Sequence, residues 1–109
     1  MSNDRSFTAA MVQMRTSLLP EPSLEQGTRL IREAVAQGAQ YVQTPEVSNM
    51  MQLNRTALFV QLKSAGDDPS LRAYRALLKA RNIHLHICSL ALRFSEDHAV
   101  NRSLLFWPD

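Results

Sequence analysis

Tyr41-Val42-Gln43-Thr44, followed directly by Pro45-Glu46, reads as a short buried strand that a proline stops and a carboxylate follows. A strand that ends this way sets the acid at the carboxyl edge of a sheet, where open α/β folds build their sites. The residues before it read as the strand and helix that deliver it. Phe7 to Met14 is apolar at nearly every position, the pattern of a strand covered on both faces. Arg15 to Pro22 reads as a loop with two prolines. Ser23 is the expected helix cap, with Gln26 at the spacing for the reciprocal bond.

That helix carries Leu24, Thr28, Ile31 and Val35 on one face, joined by Gly27 and Ala34. Gly38 stands where a helix end wants a left-handed residue. Strand, amphipathic helix and strand with short joints make a βαβ unit, so the strands at Phe7 and Tyr41 should run parallel.

Beyond Glu46, Val47 to Asn54 is irregular, and Thr56 to Lys63 is expected to form a short helix burying Leu58, Phe59 and Leu62. After a Ser64 to Asp68 loop, Asp68-Pro69 marks a helix start, with the acid as cap and the proline at the first helical position. Leu71, Tyr74, Leu77 and Leu78 form its buried stripe, and Asn82 is the expected stop. His84 to Leu90 alternates as a third strand, Phe94 to His98 is a polar turn, and Val100 to Phe106 is a fourth strand. The order predicted is β-α-β-(α)-α-β-β, an α/β fold in one domain over residues 1–109.

Composition narrows the class. The chain has 109 residues, 45% hydrophobic and 20% charged, enough to build a packed core. Its 12 basic and 10 acidic residues leave a formal charge of +2, and the arginines punctuate helices and loops without forming a run. That distribution argues against a nucleic-acid partner. One cysteine, Cys88, excludes an internal disulfide. With no signal-like start and no apolar run of about 18 residues, a cytoplasmic protein without a membrane partner is expected. Asn54-Arg55-Thr56 and Asn101-Arg102-Ser103 match the glycosylation pattern by chance on that reading.

Among residues able to carry chemistry, Glu46 leads. A carboxylate held at a strand end against apolar neighbours would have its pKa raised toward the range of a general base. His84, His86 and Cys88 fall on one face of their strand at alternate positions, a pattern that zinc sites use. No further ligand completes a set, so no metal is expected. Cys88 lies inside a strand, a poor setting for a reactive thiol. His98, Glu96 and Asp97 form a charged turn. No phosphate loop, dinucleotide glycine pattern, Gly-x-Ser-x-Gly elbow or Cys-x-x-Cys is present, so no cofactor is expected.

Ala9-Ala10-Met11-Val12-Gln13-Met14, Leu30-Ile31-Arg32-Glu33-Ala34, Gln37-Gly38-Ala39 and Thr44-Pro45-Glu46, in that order, resemble the opening of the nitrilase superfamily of carbon–nitrogen hydrolases. Ile83 to Leu90, ending Cys-Ser-Leu, resembles the family strand that usually ends Gly-Ser-Leu. Asn101-Arg102-Ser103 and Pro108-Asp109 resemble the strand and turn that follow it.

The resemblance implies an α-β-β-α sandwich and a Glu-Lys-Cys catalytic set acting on a small amide or nitrile, in a homo-oligomer. Glu46 matches the family's base. The family's lysine and cysteine come after the Pro-Asp turn, and Lys63, Lys79 and Cys88 lie in no matching motif. The chain is therefore expected to be an N-terminal portion of such an enzyme, truncated after the fourth strand and inactive alone. The alternative is a non-catalytic α/β binding or interaction module that keeps the family's packing.

Overall fold

The computed structural model describes residues 5–79 and 81–108. Its elements are β1 (Ala9–Met11), α1 (Pro20–Ala36), β2 (Tyr41–Gln43), α2 (Arg55–Gln61), α3 (Pro69–Lys79), β3 (His84–Arg93) and β4 (Ala99–Phe106). The sheet order is β1-β2-β3-β4, with β1, β2 and β3 parallel and β4 antiparallel to β3. The α/β class and the parallel pairing across α1 are as the sequence indicates. The expected Pro108-Asp109 turn lies partly outside the described residues, because Asp109 is not described.

One face of the sheet is buried beneath α1 and α3. Ile31 of α1, Leu71, Tyr74 and Leu77 of α3, and Val42, Leu85, Ile87, Leu90 and Leu92 of the strands form its core. Burying a side chain of this size stabilises the fold by about 1.5–3 kcal/mol. On the other face Ala91 of β3 is buried with Met50 and Leu62, while the side toward β1 and the start of β3 is open. Met11 is 62% exposed, Leu105 49% and Trp107 60%; in β1 a half-buried Ala10 stands between two exposed residues, and in β2 a buried Val42 stands between two half-buried ones. Among the described residues the cover expected on both faces of the first strand is supplied on the helical face only. Only three residues of Phe7 to Met14 are paired, and their outward side chains meet no second layer among the described residues.

The start of α1 departs from expectation. Pro20 opens the helix, and both prolines of the expected loop lie in its first turn, where a missing N–H costs nothing. Leu19 is the cap residue and makes no side-chain cap bond. Ser23 lies inside the helix, where its hydroxyl donates to the Leu19 carbonyl at 2.9 Å and accepts from the Ser17 amide at 2.9 Å. Gln26 does not reach back to Ser23. It pairs with the backbone of Arg15 in both directions and so fastens the β1–α1 connection to the helix. The far end follows expectation. Gly38 has φ 94°, and the amides of Gly38 and Ala39 close on Val35 and Ala34 in a Schellman arrangement.

Asp68 caps α3 as its sequence predicts, accepting from the Leu71 amide at 2.9 Å. The carboxyl is buried, and desolvation raises its pKa above 3.8 despite the opposing pull of the Leu71 and Ser70 amides and Arg72. A carboxyl whose folded pKa lies above its unfolded value costs stability once ionised. The cost is absent below about pH 3.8 and grows as pH rises through the folded pKa. Asp68→Asn keeps a good cap and removes the charge. Its melting temperature at pH 7 is expected to equal or exceed that of the parent, with a flatter profile from pH 4 to 7. Asp68→Ala, which loses the cap, should cost about 1 kcal/mol. Thermal melts across pH decide it, and an Asn variant clearly less stable than the parent at pH 7 would refute the desolvation account.

Candidate active site

β2 stops at Gln43, but the chain continues along the edge of β3 by other means. The Thr44 amide donates to the His86 carbonyl at 3.0 Å, and the Thr44 hydroxyl accepts from the Cys88 amide at 3.1 Å. The Ser48 amide and hydroxyl both donate to the Ser89 carbonyl, at 2.9 and 3.1 Å. The Asn49 side chain then pairs with Ala91 as a strand residue would, donating to its carbonyl and accepting from its amide, both at 2.9 Å. Thr44, Ser48 and Asn49 are all buried. Buried polar groups that satisfy one another in this way hold a single conformation.

Glu46 sits at the crest of this strapped segment. Its side chain is exposed at the carboxyl edge of β2, and one carboxylate oxygen accepts from the Asn101 side-chain amide at 3.2 Å. The apolar setting that the sequence suggested for the carboxylate is not what surrounds it. The next residue, Val47, has φ 49°. A β-branched side chain rarely adopts this left-handed backbone, which costs about 1–2 kcal/mol. The Ser89 hydroxyl accepts a short hydrogen bond from the Val47 amide and helps to hold it there. Steep local strain beside an accessible acid is a feature of functional turns.

Ser89 reaches Val47 because β3 carries one extra residue. Ile87 faces Leu104 and Leu90 faces Arg102, so three steps on β3 match two on β4. Such a bulge re-aims side chains next to functional sites. Neither Ser89 nor Asn101 stood out as a site residue in the sequence. The signals for them were slight: a serine after Cys88, and an asparagine within a strand that could be read as a glycosylation match.

The comparisons with known proteins bear on this geometry. The family model for "Carbon-nitrogen hydrolase" matches residues 8–109. The chain belongs to the carbon–nitrogen hydrolase family. Among solved structures it is similar to the C. elegans NitFhit protein, with a TM-score of 0.79 and 23% identity over 93% of this chain and 25% of that one. It is also similar to an amidase from Nesterenkonia sp., with a TM-score of 0.70 and 21% identity over 90% of this chain and 36% of that one. An N-terminal amidase solved with a Gln-Gly peptide gives a TM-score of 0.75 at 10% identity, over 94% and 25%. No curated protein matches. The chain thus spans between 25% and 36% of the length of these solved structures, which share its fold.

Within this carbon–nitrogen hydrolase chain, the other candidate residues are dispersed. Lys63 lies exposed beyond α2, and Lys79 lies exposed in the last turn of α3. Cys88 is half-buried at the bulge. His84 and His86 do share the open face, but both ring nitrogens of His86 are engaged, with the Tyr41 hydroxyl and the Ser103 hydroxyl, each at 2.8 Å. Among the described residues no group of three His, Cys, Asp or Glu side chains is placed to hold a metal. His98 pairs with Asp97 on the exposed turn. No helix among the described residues is long and apolar enough to cross a membrane.

Proposed function

We propose that this chain supplies the general base, Glu46, of a nitrilase-type amidase whose lysine and cysteine lie outside residues 1–109. The observation that carries the reading is an accessible carboxylate at the carboxyl edge of a parallel strand, aimed by a strained and strapped turn. In the assembled site Glu46 takes the thiol proton of the cysteine, and the thiolate attacks the carbon of an amide or nitrile. The lysine stabilises the anionic tetrahedral intermediate. For an amide, the proton returns to the departing nitrogen, ammonia or an amine leaves, and a thioester remains. Glu46 then activates water, which releases the acid and restores the thiol.

A related amidase supports a small substrate. The Nesterenkonia sp. AN1 enzyme, as a double mutant with one glutamate changed to glutamine and one cysteine to alanine, was solved in complex with acrylamide. The open sheet face is where a second sheet would pack to complete an α-β-β-α sandwich, and a homo-oligomeric state belongs to the same proposal.

The test is hydrolysis of acrylamide and short aliphatic amides and nitriles. Residues 1–109 alone are expected to show no turnover above background, and the segment joined to a chain supplying the lysine and cysteine is expected to turn over. Turnover by residues 1–109 alone that disappears in Cys88→Ser would overturn the assignment. Sedimentation velocity on the longer protein reads its oligomeric state, and a strict monomer would remove that part.

The open face also favours a second reading, a non-catalytic module that binds a partner through exposed apolar residues such as Met11, Leu105 and Trp107. A longer protein that is folded yet inert toward every amide and nitrile would favour it.

A further inference from the structure

The geometry points to Asn101 as the positioning residue for the Glu46 carboxylate. This rests on the reading of Glu46 as a base and goes beyond it, since it names the group that orients the proton-accepting oxygen.

The backbone fixes the two residues relative to each other. Asn101 is paired directly with Ala91 across β3 and β4. On the opposite edge of β3, Ala91 is gripped through both its amide and its carbonyl by Asn49, three residues after Glu46. The donor and the acid are therefore referenced to one β3 residue from its two sides. The register that achieves this depends on the bulge. Without the extra residue between Ile87 and Leu90, the outer part of β4 would slip by one position. Asn101 would keep the face it shares with Ser103 and Leu105 but would stand opposite Leu90, and Val100 would stand opposite Ala91.

Glu46 is exposed, and a free glutamate side chain samples many rotamers. One donor on one oxygen restricts it and leaves the other oxygen with its lone pairs for a proton. The donor is a neutral amide. A cation in the same place would favour the ionised carboxylate so strongly that it would weaken the base. Arg102, one residue away, points to the other side of the strand by alternation, so its charge does not take Asn101's place. An asparagine orients the base without quenching it.

The test separates this inference from the catalytic reading. In residues 1–109, NMR follows the Asn101 side-chain amide from pH 3 to 7. Its resonance is expected to move with pH in the parent and to stay fixed in Glu46→Gln. An Asn101 resonance that ignores pH, or that titrates equally in Glu46→Gln, would overturn the contact whatever the enzyme does.

In the longer hydrolase, Asn101→Ala should lower kcat about tenfold with KM nearly unchanged, the loss of one hydrogen bond to a charged group. Asn101→Asp preserves shape but sets a second carboxylate beside the first. It should lower kcat further, and the acidic limb of its pH profile should shift to higher pH, because two close carboxylates share a proton. Unchanged kcat and pH profile in both variants would reject a positioning role. If the NMR contact holds but Glu46→Gln retains full activity, it is the general-base reading that fails.

Discussion

Glu46→Gln is expected to lower kcat for amide hydrolysis by about 10²–10⁴-fold in a protein that carries this segment with its lysine and cysteine, while KM changes little. The substitution is close to isosteric. Glutamine keeps a carbonyl oxygen that can still accept from Asn101, so the turn and its strap should survive. What disappears is the ability to take a proton from a thiol or from water, and this is needed both to form and to resolve the thioester. Acyl-enzyme formation should therefore slow along with steady-state turnover. Circular dichroism and the melting temperature of the variant should match those of the parent, because the exposed carboxylate contributes little to packing. A variant that folds and keeps most of its activity would remove Glu46 from the mechanism.

The strand-proline-acid sequence showed where this residue stands, and the reason is local. Pro45 prevents β2 from continuing, and a parallel strand that stops must release its next side chain at the sheet edge. What holds the carboxylate there was not legible, because it comes from partners more than forty positions away: Ser89 on Val47, Ala91 on Asn49, and Asn101 on Glu46 itself. Those contacts depend on one extra residue in β3, and alternation read from a single strand cannot reveal a bulge that only its partner's register defines.

The helices divide in the same way. Asp68-Pro69 and Gly38 act through their own backbones and were readable directly. Ser23 had the spacing of a cap, but Pro20 had already fixed a helical φ three residues earlier, and the serine hydroxyl was drawn instead to the Leu19 carbonyl and the Ser17 amide. The apolar run of Phe7 to Met14 suggested burial on both sides. Apolar character reports a preference for burial and does not say which layer supplies the cover, and the described residues supply only the helical one.

The largest stability effect is expected at Gly27, where α1 meets α3. The sequence places Gly27 on the buried face of its helix, and the structure shows the cost of adding anything there. A Cβ on Gly27 would lie 2.1 Å from the Tyr74 hydroxyl oxygen and 3.3 Å from the ring carbon that bears it. Tyr74 is 1% exposed, and burial, with a smaller contribution from Asp68, pushes its phenol up to about 12, so it remains a neutral, rigid wedge between the helices. Alanine in place of glycine in a helix normally gains about 1 kcal/mol. Here the gain is opposed by overpacking, which costs about 1–3 kcal/mol and more when the group struck cannot swing away. The Tyr74 ring belongs to the same buried cluster as Ile31, Leu77 and the β3 side chains, and a close-packed interior of this kind resists its displacement. Gly27→Ala is therefore expected to destabilise the fold despite its helix propensity, and Gly27→Val more severely. At about 4–8 °C for each kcal/mol in a domain of this size, a net loss of about 2 kcal/mol lowers the melting temperature by roughly 8–16 °C. The double variant Gly27→Ala/Tyr74→Phe removes the clashing oxygen and leaves the ring carbon as the nearest contact, a distance that a shift of a few tenths of an ångström relieves. It should be more stable than Gly27→Ala alone, with a favourable coupling of at least about 1 kcal/mol in a double-mutant cycle. Additive effects in that cycle, or a rise in melting temperature for Gly27→Ala itself, would mean that α1 and α3 do not meet through Gly27 and Tyr74.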